Sequence, residues 1–124
     1  MSVPILRQGP YLIASIQSAL TDSEVLQLRD DLAAQVGKFR ARGIIIDVAA
    51  MDVIDSYVSR SLRSIALTTR LRGAETVIVG IQPDVAIAMV QFDLNLEAVH
   101  TALDLEEALS LLDGWTKEQD RRGG

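Results

Sequence analysis

Gly43-Ile44-Ile45-Ile46-Asp47-Val48-Ala49-Ala50-Met51-Asp52-Val53-Ile54-Asp55-Ser56-Tyr57-Val58 is where the sequence declares its architecture. From Ile44 to Val48 the run is apolar apart from Asp47, with no in–out alternation, as suits a central strand buried on both faces. Asp55 and Ser56 are both strong N-cap types, so a helix is predicted to start there. Its inner stripe is Val58, Leu62, Ile65 and Thr69, and Gly73 closes it. A buried strand feeding a helix through a short connection is the repeating unit of a parallel α/β layer.

The same alternation continues on both sides. Downstream, Thr76 to Val79 reads as a second buried strand stopped by Gly80, and Pro83 fits the first turn of a helix running from Asp84 to Gln91. A weak strand around Ala98-Val99-His100 follows. Asp104 and Glu107 then cap a last helix with Leu105, Ala108, Leu109 and Leu112 inside. Upstream, Val3 to Leu6 and Tyr11 to Ile16 are apolar runs separated by Gln8-Gly9-Pro10, a hairpin pattern. Thr21 and Glu24 have capping-box spacing before a stripe of Val25, Leu28, Leu32, Val36 and Phe39, and Gly43 is the expected stop of that helix. The order is ββαβαβαβα, an α/β fold with a mixed, mostly parallel sheet covered by helices. One domain is expected over residues 1–116. Residues 117–124 have no apolar face and are expected to form a mobile polar tail.

Composition narrows the chemistry. The 124 residues are 48% hydrophobic and 23% charged, enough for one core and unlike a disordered chain. Twelve basic against 17 acidic residues leave a net charge of −5, which speaks against nucleic acid or an anionic membrane as partner. There is no cysteine, hence no disulfide or thiolate chemistry, and His100 is the sole histidine. No glycine-rich phosphate loop follows any strand. The N-terminal Met1-Ser2-Val3-Pro4 lacks the features of a signal peptide, and the longest uncharged stretch, Gln8 to Thr21, is too short and too polar to span a bilayer. A cytoplasmic protein without catalytic residues, cofactor or metal is the expectation. The competing reading takes Asp47, Asp52 and Asp55, which surround one strand-to-helix connection, as Mg²⁺ ligands in a nucleotide- or metal-binding domain.

Ser56 admits a bland and a functional reading. It is either a helix cap and nothing more, or a hydroxyl presented at the carboxyl edge of the sheet, where α/β domains place their sites. A phosphate added there meets unpaired N–H groups and the positive end of the helix dipole, in a setting made acidic by Asp52, Asp55 and Asp47. On the opposite side of the same helix Arg60, Arg63, Leu67 and Arg70 fall together, either a solvated face or an arginine-and-leucine interface.

Ile46-Asp47-Val48 followed by Val53-Ile54-Asp55-Ser56-Tyr57 resembles the phosphorylation motif of STAS domains, the family of anti-sigma-factor antagonists. Val3-Pro4-Ile5-Leu6, Gly80-Ile81-Gln82-Pro83-Asp84-Val85-Ala86 and Thr101-Ala102-Leu103-Asp104-Leu105 are similar to its stressosome branch, the single-domain RsbS type. The likeness runs from about Val3 to Leu112. It implies the SpoIIAA-like STAS fold and a scaffold that co-assembles as a homo-oligomer, dimer and larger, with sensor paralogues of the RsbR type. It also implies that the assembly sequesters a serine kinase of the RsbT type until the kinase phosphorylates Ser56. Asp47, Asp52, Asp55, Tyr57, Arg60, Arg63 and Leu67 are the partner-binding residues this implies. The absence of a preceding sensory domain in 124 residues favours scaffold over sensor. A SpoIIAA-type antagonist that needs no large assembly is the alternative within the family.

Overall fold

The computed structural model describes residues 3–91 and 99–123. Its elements are β1 (Ile5–Gln8), β2 (Tyr11–Ser15), α1 (Asp22–Phe39), β3 (Gly43–Asp47), α2 (Ser56–Arg70), β4 (Glu75–Val79), α3 (Pro83–Gln91), β5 (His100–Ala102) and α4 (Leu105–Gly123). The five strands lie in the order β1-β2-β3-β4-β5. β1 and β2 pair antiparallel through the turn at Gly9, which holds φ 58°, and every later pair is parallel. This is the predicted ββαβαβαβα order.

Successive side chains on a strand point to opposite faces, so each strand feeds two cores. Leu12, Ala14, Ile44, Ile46 and Ile78 join Leu28, Leu32 and Val36 of α1, Leu62 and Ile65 of α2, and Val85 and Met89 of α3. The alternate residues Tyr11, Ile13, Ile45, Val77 and Val79 pack with Ala108 and Leu112 of α4. Burial on both sides is why the central strands show no polar alternation. The α1 start has the predicted capping box: Thr21 Oγ1 accepts from the Glu24 amide at 3.2 Å, and the Thr21 amide donates to Glu24 Oε1 at 3.0 Å.

Four expectations need correction. Leu105, expected inside with Ala108, Leu109 and Leu112, is 39% exposed. Gly43 does not stop α1. Arg40 takes the left-handed conformation there (φ 52°, ψ 44°) and donates its N–H to the Val36 carbonyl. Gly43 instead opens β3, where a Cβ would lie 2.7 Å from Leu112 Cδ2 and 3.0 Å from Tyr11 Cδ1, so its small size lets α4 pack down on the sheet. The weak strand, expected around Ala98-Val99-His100, runs from His100 to Ala102 and pairs Val77 with His100; Ala98 lies outside the described residues. Finally, the tail assigned to residues 117–124 continues α4 through Gly123. Polar contacts replace the missing apolar face. Arg42 Nη1 donates to Asp120 Oδ1 at 2.8 Å and Arg42 Nη2 to Gln119 Oε1 at 3.2 Å, while Arg122 pairs with Glu118 one turn back at 2.9 Å.

Candidate functional site

The connection from β3 to α2 is held at nearly every step. The Asp47 carboxylate accepts from the Ala49 N–H at 2.9 Å, turning the chain as it leaves the strand. The Val48 amide donates to the Val79 carbonyl at 3.0 Å, and Met51 N–H to the Val48 carbonyl at 2.9 Å. Met51 and Ile54 are buried and anchor the connection to the core beneath it. From the connection that follows β4, Gln82 Nε2 donates to the Ala49 carbonyl at 2.7 Å. Gly80, at φ 81°, passes so close that a Cβ would meet Ala49 Cβ at 2.8 Å. The Gly80–Gln82 segment therefore supports the β3–α2 connection from the side.

Asp55 is the N-cap of α2: its backbone is extended (φ −81°, ψ 178°) and its Oδ1 accepts from the Val58 amide at 2.8 Å. Ser56 is thus the first helical residue. Its side chain is exposed and makes no hydrogen bond to the described residues. The serines deeper in α2 are less accessible, Ser59 buried and Ser61 and Ser64 half-buried. The amides of Ser56 and Tyr57 have no carbonyl partner within the helix, and the helix dipole adds a positive potential.

Beside Ser56, the N-terminal ends of α2 and α3 enclose a cavity of about 450 Å³. Its apolar lining comes from Val53, Ile54, Val85 and Ala88; Asp52, Asp55, Ser56 and Asp84 supply the polar part. Val53 is 71% exposed, an apolar side chain left at an acidic surface. Asp47 at the end of β3, Asp52 and Asp55 in the connection, and Ser56 and Tyr57 at the start of α2 lie along one strand-to-helix junction; Asp52, Asp55 and Ser56 line the cavity, and Asp47 and Tyr57 do not. Two of the three aspartates are engaged by backbone amides, and among the described residues no group of three or more acids and histidines is placed to hold a metal ion. Arg60, Arg63 and Leu67 form a separate, exposed stripe on the outer side of α2. Arg70, at the end of that stripe, pairs with Glu75 at 3.4 Å. Of the α3 contribution, Asp84 and Val85 lie in the Gly80–Ala86 stretch that carries the resemblance, but nothing in that stretch marked them, or Ala88, as part of this site. The signal was indirect: parallel pairing of β3 with β4 brings the starts of α2 and α3 side by side.

The STAS domain family matches residues 3–108. The chain belongs to the STAS domain family. Among solved structures, this STAS domain is similar to Moorella thermoacetica RsbS in a serine-to-glutamate variant, with a TM-score of 0.79 and 33% identity over 93% of this chain and 97% of that one. It is also similar to a chain in the molecular architecture of the stressosome, described as a signal integration and transduction hub, with a TM-score of 0.73 and 31% identity over 91% and 98%. The anti-sigma factor antagonist SpoIIAA in its unphosphorylated form shares the fold, with a TM-score of 0.67 at 13% identity. The Bacillus subtilis RsbT co-antagonist protein RsbRA is 26% identical over 83 residues, which are 67% of this chain and 30% of that protein. The chain thus spans about 30% of the length of that curated relative. Among the described residues, no helix of this STAS domain is long and apolar enough to cross a membrane.

Proposed function

We propose that this STAS domain is a non-catalytic stressosome scaffold of the RsbS type that works in the cytoplasm. It co-assembles with sensor paralogues of the RsbR type, holds a serine kinase of the RsbT type, and releases it when Ser56 is phosphorylated. The observation that carries this reading is the division of labour at the start of α2. Asp55 does the capping, so the exposed Ser56 hydroxyl has no structural duty and is open to modification. The likeness to RsbS and to the stressosome chain supports the branch. That the RsbS relative was solved with serine exchanged for glutamate, a negative charge in place of a hydroxyl, is consistent with a charge-controlled serine.

The physical effect of the phosphate follows from its surroundings. It adds a charge of about −1.5 to −2 at pH 7. The helix dipole stabilises that charge by about 0.3–1 kcal/mol at an exposed site. Repulsion from Asp52 and Asp55 opposes it on a similar scale, so the fold's stability stays nearly constant. A docked kinase surface would have to desolvate the dianion, which costs several kcal/mol without a partner charge. A loss of about 2–4 kcal/mol corresponds to roughly 30- to 1,000-fold weaker kinase binding.

The test is incubation with the cognate kinase and ATP, followed by mapping of the phosphate by mass spectrometry and titration of kinase binding. Phosphate on Ser56 with weakened binding is expected. Ser56→Ala should hold the kinase permanently, and Ser56→Asp, with one charge and a smaller head, should release it only in part. Phosphate elsewhere with Ser56 untouched, or undiminished binding by the fully modified protein, defeats the reading.

A further inference from the structure

Phosphorylation needs an accessible hydroxyl, which Ser56 has. It does not need an apolar recess beside that hydroxyl. Here Val53, Ile54, Val85 and Ala88 line a space of about 450 Å³, inside the range of roughly 300–1,000 Å³ typical of small-molecule sites. Val53, part of that lining, stays 71% exposed, so the chain leaves the space open rather than closing it with its own side chains.

The charges around this space have one sign. Asp52, Asp55 and Asp84 line it, and no lysine or arginine does. None occurs either in residues 48–55 or 80–82, the connections that lead into α2 and α3. Against three carboxylates stand the starts of two helices, each worth about half a positive charge, so the acids prevail and the cavity is net negative. Asp55 is partly spent on the Val58 amide, 2.8 Å from its Oδ1. Asp52 and Asp84 make no hydrogen bond or ion pair with the described residues, which leaves their oxygens to a visitor. A metal ion is a poor fit: among the described residues no group of three or more acids and histidines is placed to hold one. A hydrated ion would also leave the apolar wall unused.

We infer that the cavity binds a small hydrophobic cation, an amine or guanidine carried on an aromatic or aliphatic body. The body lies against Val53, Ile54, Val85 and Ala88, and the charged head turns to Asp52 and Asp84. Burial of the body supplies the affinity, and the carboxylates select the sign of the charge. A phosphate ester is disfavoured, because its charge meets the same acids. Ser56 lines the cavity too, so a seated ligand covers its hydroxyl. That last consequence rests on the proposed phosphorylation of Ser56; the binding site does not.

The experiment uses the full chain with no kinase and no ATP, so either reading can fail without the other. NMR spectra of the isotope-labelled protein are followed at low salt during titration with phenylbutylammonium, neutral phenylbutanol and anionic phenylbutanoate, three probes with one body and different charge. The cation is expected to shift the signals of Val53, Ile54, Val85 and Ala88. It should bind about tenfold tighter than the alcohol, the scale of one partly screened charge contact, with the anion weakest. In the double variant Asp52→Asn with Asp84→Asn the cation should lose that margin while the alcohol binds as before. Ala88→Phe, which fills the recess, should abolish the shifts from all three probes. Thermal unfolding is the fold control for both variants, and the exposed asparagine pair keeps the test decisive if the larger side chain unfolds α3. An alcohol that binds as tightly as the cation, an anion that binds best, or a margin that survives the double variant would each overturn the inference. So would a cavity that no probe enters, which would then be a protein-docking surface only.

Discussion

Gly80 decides where the Ser56 connection sits, through two separable effects. Its φ of 81° is unfavourable for any side chain, and a Cβ there would collide with Ala49. Gly73 offers the comparison, with φ 89° and nothing within 4 Å of an added Cβ. Gly73→Ala should therefore cost the conformational part alone, about 1–2 kcal/mol. Gly80→Ala should cost about 1 kcal/mol more, because a well-packed site must give way. Urea denaturation of both variants measures the difference; equal losses would mean that Ala49 moves aside freely. At the neighbouring cap, Asp55→Ala should lose about 1 kcal/mol. Ser56→Ala should be silent in stability, since the serine caps nothing. The sequence made Asp55 and Ser56 interchangeable as caps, because both side chains can accept an amide. What separates them is backbone geometry one residue apart, and that is fixed by the buried Ile54 and the anchored Ala49.

At the scale of elements, α4 is joined to the sheet by polar links where its apolar stripe runs out. The Tyr11 hydroxyl donates to Asp113 Oδ1, and His100 packs against Trp115 with ring centroids 4.3 Å apart. Burial, and then the hydrogen bond to Asp113, push the Tyr11 pKa above its ordinary value of 10.0. A group whose pKa is raised on folding stabilises the native state fully below its unfolded pKa, and loses that contribution as pH rises through the folded value. Stability should therefore fall above pH 10 in wild type. Tyr11→Phe should be weaker by about 1 kcal/mol at neutral pH, from the lost hydrogen bond, but flatter above pH 10. Denaturant unfolding from pH 8 to 11 (about the range that brackets tyrosine ionisation) reads both effects. The helices α1, α2 and α3 were legible because each buries an apolar stripe at helical spacing. The second half of α4 was not, because Asp120 and Gln119 find their partner at Arg42, and no local period announces a contact 78 residues away.

The whole molecule is a one-sheet domain with Ser56 at one end and an exposed arginine stripe along α2. If assembly with sensor paralogues runs through that stripe, Arg63→Glu should weaken it while changing stability by no more than about 0.5 kcal/mol, as surface substitutions usually do. Mass measurement of the mixed complex, with thermal unfolding alongside, checks this; unchanged assembly would make the stripe plain solvent surface. The fold was readable from the sequence at this scale because strand order and chain order coincide. That coincidence has a consequence during synthesis. Each strand from β2 onward pairs with the strand made just before it, so the sheet can grow as the chain emerges, one edge at a time. Its two faces, however, are not covered on the same schedule. α1, α2 and α3 arrive between the strands and cover their side as it forms, whereas Tyr11, Ile13, Ile45, Val77 and Val79 wait for α4. Until that helix has left the ribosome, the nascent protein carries a bare apolar sheet face, and this is the interval in which it is most open to chaperone capture or to sticking to its neighbours.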